Sequence, residues 1–269
     1  MINQQFNLVH VWFEGSNTPT TINLTTSSSP RGLFVTITDD IYIGANYGIE
    51  KRRLDSTGSL STLYTGGQCW DLFIDRNNSL YCSLANGHQV IKRLLNSSDN
   101  QVTIVAGTGC RGFVSDMLSY PYGIFVHINF DLYVADSSNN RIQLFPFGQL
   151  NGTTVAGIGA PGTITLRYPT DVILDADGYL FIVDRSNSRI VASGLAGFRC
   201  IVGCSGGSGS ASNKLSYPWA MSFDSYGNIF VLDSDNYRVQ KFLLATNSCG
   251  ECRLIYLRNE HLIWSIIVM

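Results

Sequence analysis

YPTDVILDADGYLFIVDRSNSR, residues 168–189, reads as a complete small unit of structure. Tyr168-Pro169 marks a turn into an apolar run that ends at Asp175. Asp177-Gly178 reverses the chain, since glycine adopts the positive φ that tight hairpins require. An alternating run, Tyr179 to Val183, closes on Asp184, and Asn187 and Arg189 open a third run at Ile190. The pattern is an antiparallel meander of strand, tight turn, strand, short polar loop and strand.

The chain repeats this meander on either side. Unit one is PRGLFVTITDDIYIGANYGIEK (30–51) and unit two is CWDLFIDRNNSLYCSLANGHQVIKR (69–93). Unit three is PYGIFVHINFDLYVADSSNNRIQLF (121–145), unit four starts at Pro169, and unit five is PWAMSFDSYGNIFVLDSDNYRVQKF (218–242). The anchors Pro30, Cys69, Pro121, Pro169 and Pro218 are spaced by 39, 52, 48 and 49 residues, which means a constant core with loops of changing length. A short β-prone run leading into glycine precedes most anchors: Leu60–Tyr64, Val102–Gly107, Thr153–Gly157 and Cys200–Gly203. Each unit therefore has four strands, and such units repeated at this period predict an all-β chain folded as a β-propeller. One unit cannot bury both of its faces, so the units must pack around a common axis. The composition agrees: 45% hydrophobic, 14% charged and 26 glycines suit many short strands joined by turns.

The expected organisation is N-terminal strands in 1–29 (Phe6–Phe13 and Thr20–Thr25), a propeller over 30–248 and a tail over 249–269. Five units are recognisable, and a sixth blade would follow if the N-terminal strands paired with Leu262–Val268 to seal the ring between the termini.

Three units carry a family pattern: YP-x-G/D-I/V, then an aspartate closing the second strand, then N-x-R-I/V. It is formed by Tyr120-Pro121, Asp136, Asn139 and Arg141 in unit three, and by Tyr168-Pro169, Asp184, Asn187 and Arg189 in unit four. Tyr217-Pro218, Asp233, Asn236 and Arg238 form it in unit five. The pattern resembles the NHL repeat over about residues 30–242, and the resemblance implies a propeller, often of six blades. Units one and two depart from it: Ala45 and Leu84 stand for the aspartate, Glu50 and Gln89 for the arginine.

The recurring Asp136/Arg141, Asp184/Arg189 and Asp233/Arg238 pairs read as structural, because they return once per unit whereas a catalytic site needs asymmetry. A guanidinium bonding a carboxylate across a tight loop would fix the blade geometry. Asp175-Ala176-Asp177-Gly178 resembles half of a calcium loop but lacks the glutamate at the EF-hand spacing, and so reads as a hairpin turn. Before that turn, units two, four and five place Asp75, Asp175 and Asp224, while unit three has His127. These residue types would suit an axial metal in a propeller hydrolase or lyase, and equally suit solvated turns. The four histidines are dispersed and there is no Gly-x-Ser-x-Gly elbow, so nucleophilic catalysis has no support in the sequence. Cys200/Cys204 and Cys249/Cys252 offer four thiolates, but in Gly/Ser-rich loops that favour disulfides or buried thiols over zinc. Cys69 and Cys82 lie on neighbouring inner strands, bonded or simply packed.

The ring that points most directly to binding lies one residue after each anchor: Arg31, Trp70, Tyr122, Thr170 and Trp219. In a propeller this position opens the innermost strand near the channel mouth. Trp, Tyr and Arg dominate binding hot spots, so the five are candidate partner-binding residues; the competing reading is core packing between blades.

A net charge of −2 and a pI near 6.0 argue against a nucleic-acid surface. RNA binding, known for NHL propellers in ubiquitin-ligase-type proteins, has that charge against it and lacks the RING and B-box motifs of those proteins. No apolar run approaches the roughly 18 residues of a membrane helix. Seven cysteines and the sequons at Asn23, Asn77, Asn96 and Asn151 lean toward an oxidising, extracellular setting, although the N-terminus does not read as a signal peptide. The sequence implies no cofactor. It points to a non-catalytic interaction module or scaffold whose partner is a protein or peptide.

Overall fold

The computed structural model describes the strands at 2–3, 8–11 and 20–23, then residues 31–36, 38, 40–45, 48–53, 61–63, 67–97 and 101–243. Within these residues the chain is all-β. Strands β1 (Ile2–Asn3), β2 (Leu8–Val11) and β3 (Thr20–Asn23) form a three-stranded sheet. Blade one follows with β4 (Leu33–Val35), β5 (Asp40–Ala45), β6 (Gly48–Arg53) and β7 (Ser61–Leu63). Blade two is β8 (Leu72–Ile74), β9 (Ser79–Leu84), β10 (Gln89–Leu94) and β11 (Val102–Ala106). Blade three is β12 (Pro121–Val126), β13 (Leu132–Asp136), β14 (Arg141–Phe145) and β15 (Thr153–Gly157). Blade four is β16 (Pro169–Leu174), β17 (Leu180–Asp184), β18 (Arg189–Ala192) and β19 (Arg199–Val202). Blade five shows β20 (Met221–Phe223), β21 (Ile229–Asp233) and β22 (Arg238–Phe242). Each blade is an antiparallel meander in chain order, and the blades form a five-bladed propeller.

The sixth blade expected from the termini is not supported. Among the described residues β1–β3 pair only with one another, and Leu262–Val268 lies outside them, as do Pro30, Cys249 and Cys252.

The core lies between blades. Second strands sit deepest, with Val134, Ile182 and Val231 each 0% exposed. Covered on both faces, they read as near-continuous apolar runs rather than alternating ones. Phe34, Phe73 and Phe125, one from each inner strand of blades one to three, stack in series with centroids 5.3 Å apart at each step. Such ring pairs add about 0.5–1.5 kcal/mol beyond the area they bury.

Blades three to five share one fastening. Arg141, Arg189 and Arg238 donate Nε–H to Oδ2 of Asp136, Asp184 and Asp233 at 2.7, 2.8 and 2.8 Å. Asn139, Asn187 and Asn236 donate to the same oxygens at 2.8, 2.9 and 2.8 Å. Each Oδ1 accepts the N–H of the loop ahead of the blade, at Ser119, Arg167 and Ser216. All three carboxylates are 0% exposed, so every bond is made in a medium of low dielectric. Burial pushes the Asp136 carboxyl up, and the bonds from Asn139, Ser119 and Arg141 pull it back.

In blade two Leu84 pairs with Gln89, and the turn Ala85–Gly87 survives without the ion pair. Blade one differs in register as well. There Ala45 pairs with Gly48 and Glu50 faces Ile43, so Glu50 does not occupy the arginine's place.

Candidate functional site

The five anchor-following residues come together. Arg31, Trp70, Tyr122, Thr170 and Trp219 line one open pocket at the start of the inner strands. A register shift between Pro121 and Ile124, and another between Pro169 and Asp171, interrupts the ladder where Tyr122 and Thr170 stand. Bulges of this kind re-aim side chains next to functional sites.

Tyr122 is the hub. Its ring lies 4.8 Å from Trp70 and 5.1 Å from Trp219, and the two indoles are 6.1 Å apart. The Arg31 guanidinium covers Trp70 at 4.2 Å. Thr170 donates its hydroxyl to the Trp219 carbonyl at 2.7 Å, tying blades four and five together at the mouth. Packing and surface therefore coexist here: Tyr122 is buried, while Trp70 and Trp219 keep one side open to the cavity. The Trp70 Nε1–H is buried and meets no acceptor among the described residues.

Two aromatic residues and one cation extend the mouth, and the sequence pattern had treated the aromatics only as turn markers. Tyr168 stands 5.9 Å from Tyr122, with their hydroxyls 3.3 Å apart. Arg185 lies 5.1 Å from the Tyr217 ring, 5.3 Å from Trp219 and 6.0 Å from Tyr168. Burial pushes the Tyr122 phenol up, its bond to Tyr168 adds to this, and Arg185 and Arg31 pull it down, which places both guanidinium groups within electrostatic reach of one hydroxyl. Burial also lowers the Arg31 pKa.

One residue further along the inner strands the channel is lined by Gly32, Asp71, Gly123, Asp171 and Ala220. The two acids behave alike. Asp71 accepts the N–H of Leu72 through Oδ1 and that of Ile124, one blade on, through Oδ2, both at 2.8 Å. Asp171 does the same with Val172 and Met221, both at 2.8 Å. Gly123 makes the close approach possible: a Cβ there would meet the Thr170 carbonyl oxygen and Asp171 Oδ1, each at 2.7 Å. Burial raises the Asp71 carboxyl to about 6. Burial, then repulsion from Asp71, raises Asp171 to about 8. The signal was present in the sequence as Trp-Asp and Thr-Asp directly after the anchors of units two and four.

The other acid candidates do not share the axis. Asp75 Oδ1 accepts the N–H groups of Asn77 and Ser79, Asp175 Oδ1 those of Asp177 and Tyr179, and Asp224 Oδ1 those of Tyr226 and Asn228. His127 Nδ1 sits 2.7 Å from Asn129 Oδ1. Each therefore fastens its own hairpin at the far end of the inner strand, roughly 16 Å along the chain from the mouth. Among the described residues no three His, Cys, Asp or Glu side chains gather as a metal site. Cys69–Cys82 and Cys200–Cys204 are disulfides, so Cys200 and Cys204 hold no thiolate for zinc, and Cys110 is free and exposed.

Residues 215–242 match the family model described as NHL repeat, and this match together with the five-bladed arrangement supports an NHL-repeat propeller. The search of curated proteins finds no significant match. Among solved structures the chain is similar to a Bacteroides thetaiotaomicron structural genomics protein of unknown function (TM-score 0.70, 16% identity). That match covers 89% of this chain and spans only 65% of the other protein's length. The chain is also similar to a streptogramin B lyase (TM-score 0.60, 15% identity, 91% of this chain and 78% of that one). A third likeness is to a chain of a nidogen/laminin complex (TM-score 0.61, 16% identity, 85% of each chain). At these identities the likeness is one of fold. No helix among the described residues is long and apolar enough to cross a membrane.

Proposed function

We propose that this chain is a non-catalytic recognition module and that a protein or peptide segment binds across the channel mouth formed by Arg31, Trp70, Tyr122, Thr170 and Trp219. The carrying observation is that these five residues, 188 positions apart from first to last, line a single cavity and form a continuous aromatic surface flanked by guanidinium groups. Large rings offer contact area with few rotatable bonds, so little entropy is lost when a partner settles on them. The propeller supplies the rigidity: inner strands from successive blades fix the rings, while loops of different length set what surrounds them. A ring of three aromatics with no nucleophile–base pair is equipped to be covered rather than to break bonds.

The test is affinity capture with the intact chain and with a Trp70→Ala/Trp219→Ala variant, both read by quantitative mass spectrometry. Hot-spot aromatics cost about 2 kcal/mol each, about thirtyfold in Kd, so a partner retained by the intact chain should be lost by the variant while thermal unfolding stays cooperative. Equal recovery from both would remove the site.

A further inference from the structure

We propose that the mouth takes a peptide carboxylate, gripped by Arg185 with Arg31 as the second cation, while the adjoining peptide lies over Trp70, Tyr122 and Trp219. The inference rests on the recognition reading above and names the chemistry of the occupant.

Arg185 carries the argument because the repeat does not need it. It follows Asp184, and the equivalent residues after the second strand in blades two, three and five are Ala85, Ser137 and Ser234. The Asp184 carboxylate is fully engaged by Arg189, Asn187 and the Arg167 N–H, so it cannot serve Arg185. What holds Arg185 is ring faces alone: Tyr217, Trp219 and Tyr168. None of its N–H groups meets an acceptor among the described residues, and its Nε is buried in that condition. An unmatched donor of this kind is destabilising, and a ligand acceptor beside the guanidinium can offset that. Ring contacts fix the plane of a guanidinium and leave its edge for a two-oxygen acceptor, the geometry in which arginine binds carboxylates.

The position points the same way. Arg185 covers Trp219, Arg31 covers Trp70, and both act on the hydroxyl of Tyr122 between them. A single negative group near Tyr122 thus meets both cations. Asp71, deeper in the channel, favours a singly charged carboxylate over a doubly charged group, since the repulsion from its ionised form grows with the charge of the guest.

A peptide carboxylate comes from an acidic side chain or from a C-terminus, and three labelled peptides of equal length separate the sources. One carries internal Asp and Glu with an amidated end, one has neutral side chains with a free C-terminus, and one is neutral throughout. Fluorescence polarisation at low ionic strength should show one of the charged peptides binding at least about tenfold tighter than the neutral one. Arg185→Gln should erase that preference without lowering the unfolding temperature, and Arg185→Lys should restore only part of it. The inference fails if the neutral peptide binds as well as both charged ones, if Arg185→Gln keeps the preference, or if neither charged peptide binds at millimolar concentration. If all three bind alike and Trp70→Ala/Trp219→Ala abolishes them together, the recognition site stands and the carboxylate does not. If the Trp variant leaves binding intact, the recognition site falls too.

Discussion

The backbone N–H of Tyr168 donates to Oδ1 of Asn140, in the preceding blade, at 2.7 Å. Both residues have positive φ, 54° each, and both stand at chain reversals: Asn140 ends the turn Ser137–Asn139 and Tyr168 enters β16. The bond recurs, weaker, between Tyr120 and His88 at 3.2 Å and between Tyr217 and Ser188 at 3.3 Å. A left-handed residue of one blade thus holds the left-handed entry of the next. Asparagine suits the place best, since it tolerates that conformation and its short amide can reach across.

Asn140→Ala should therefore cost about 1–2 kcal/mol, through the lost bond and the less tolerant backbone. Ser188→Ala, losing a longer bond, should cost less. Urea unfolding midpoints of the two variants give the order, and equal midpoints would mean the bond does not fasten the blades.

His88 should make this fastening sensitive to acid. Its Nδ1 accepts the Tyr120 N–H, an arrangement only the neutral ring allows, and Arg111 lies over the Tyr120 ring. Burial, then Arg111, lowers the His88 pKa, with Asp136 opposing. For a base held below its unfolded value the contribution to stability is complete above about pH 6.5 and falls as the pH drops through the unfolded and then the folded pKa. His88→Asn should keep the bond and flatten this part of the profile. Melting temperatures between pH 7 and pH 5 decide it.

The axial acids should act in the opposite sense. Asp71 and Asp171 are raised to about 6 and about 8, so the folded state holds protons that the unfolded chain has released. Their contribution is most favourable below the unfolded carboxyl value and declines as the pH rises toward 8. Carboxyl carbon NMR should show both titrating well above the ordinary aspartate range, with Asp171 last. Midpoints near 4 for both would refute the assignment.

Arg141→Met and Arg238→Met should separate two grades of the same fastening. The Arg141 side chain is 4% exposed and that of Arg238 31%, over aspartates that are wholly buried. Removing one partner of a buried pair costs about 3–5 kcal/mol, so Arg141→Met should approach that figure while Arg238→Met falls short of it because water reaches the gap. Chemical denaturation of both variants checks the ranking.

The blades were legible because their information is local. Asp184, Asn187 and Arg189 lie within six residues and bond to one another, so spacing alone reports the contact. The glycines ending the fourth strands were equally plain, and Gly157 shows why: at φ 88° a Cβ would meet the Asn140 carbonyl oxygen at 2.3 Å. The mouth was legible only through the anchors. Arg185 belongs to it through Tyr217 and Trp219, contacts that no repeat pattern encodes. The sequence offers Asp75, His127, Asp175 and Asp224 as axial residues, whereas Asp71 and Asp171 line the channel. An aspartate before a glycine turn and one bridging two blades look alike in sequence, and only the partner N–H, 2 residues away for Asp175 but 50 for Asp171, tells them apart.

Asp71 reaches from blade two to blade three and Asp171 from blade four to blade five, whereas Gly32 and Gly123 at the alternate places reach nowhere. The hoop is thus stitched in couples, with no fivefold sameness left at its throat. If the proposed peptide settles there, it would find one way to lie down instead of five interchangeable ones, and that inequality would set its direction across the throat.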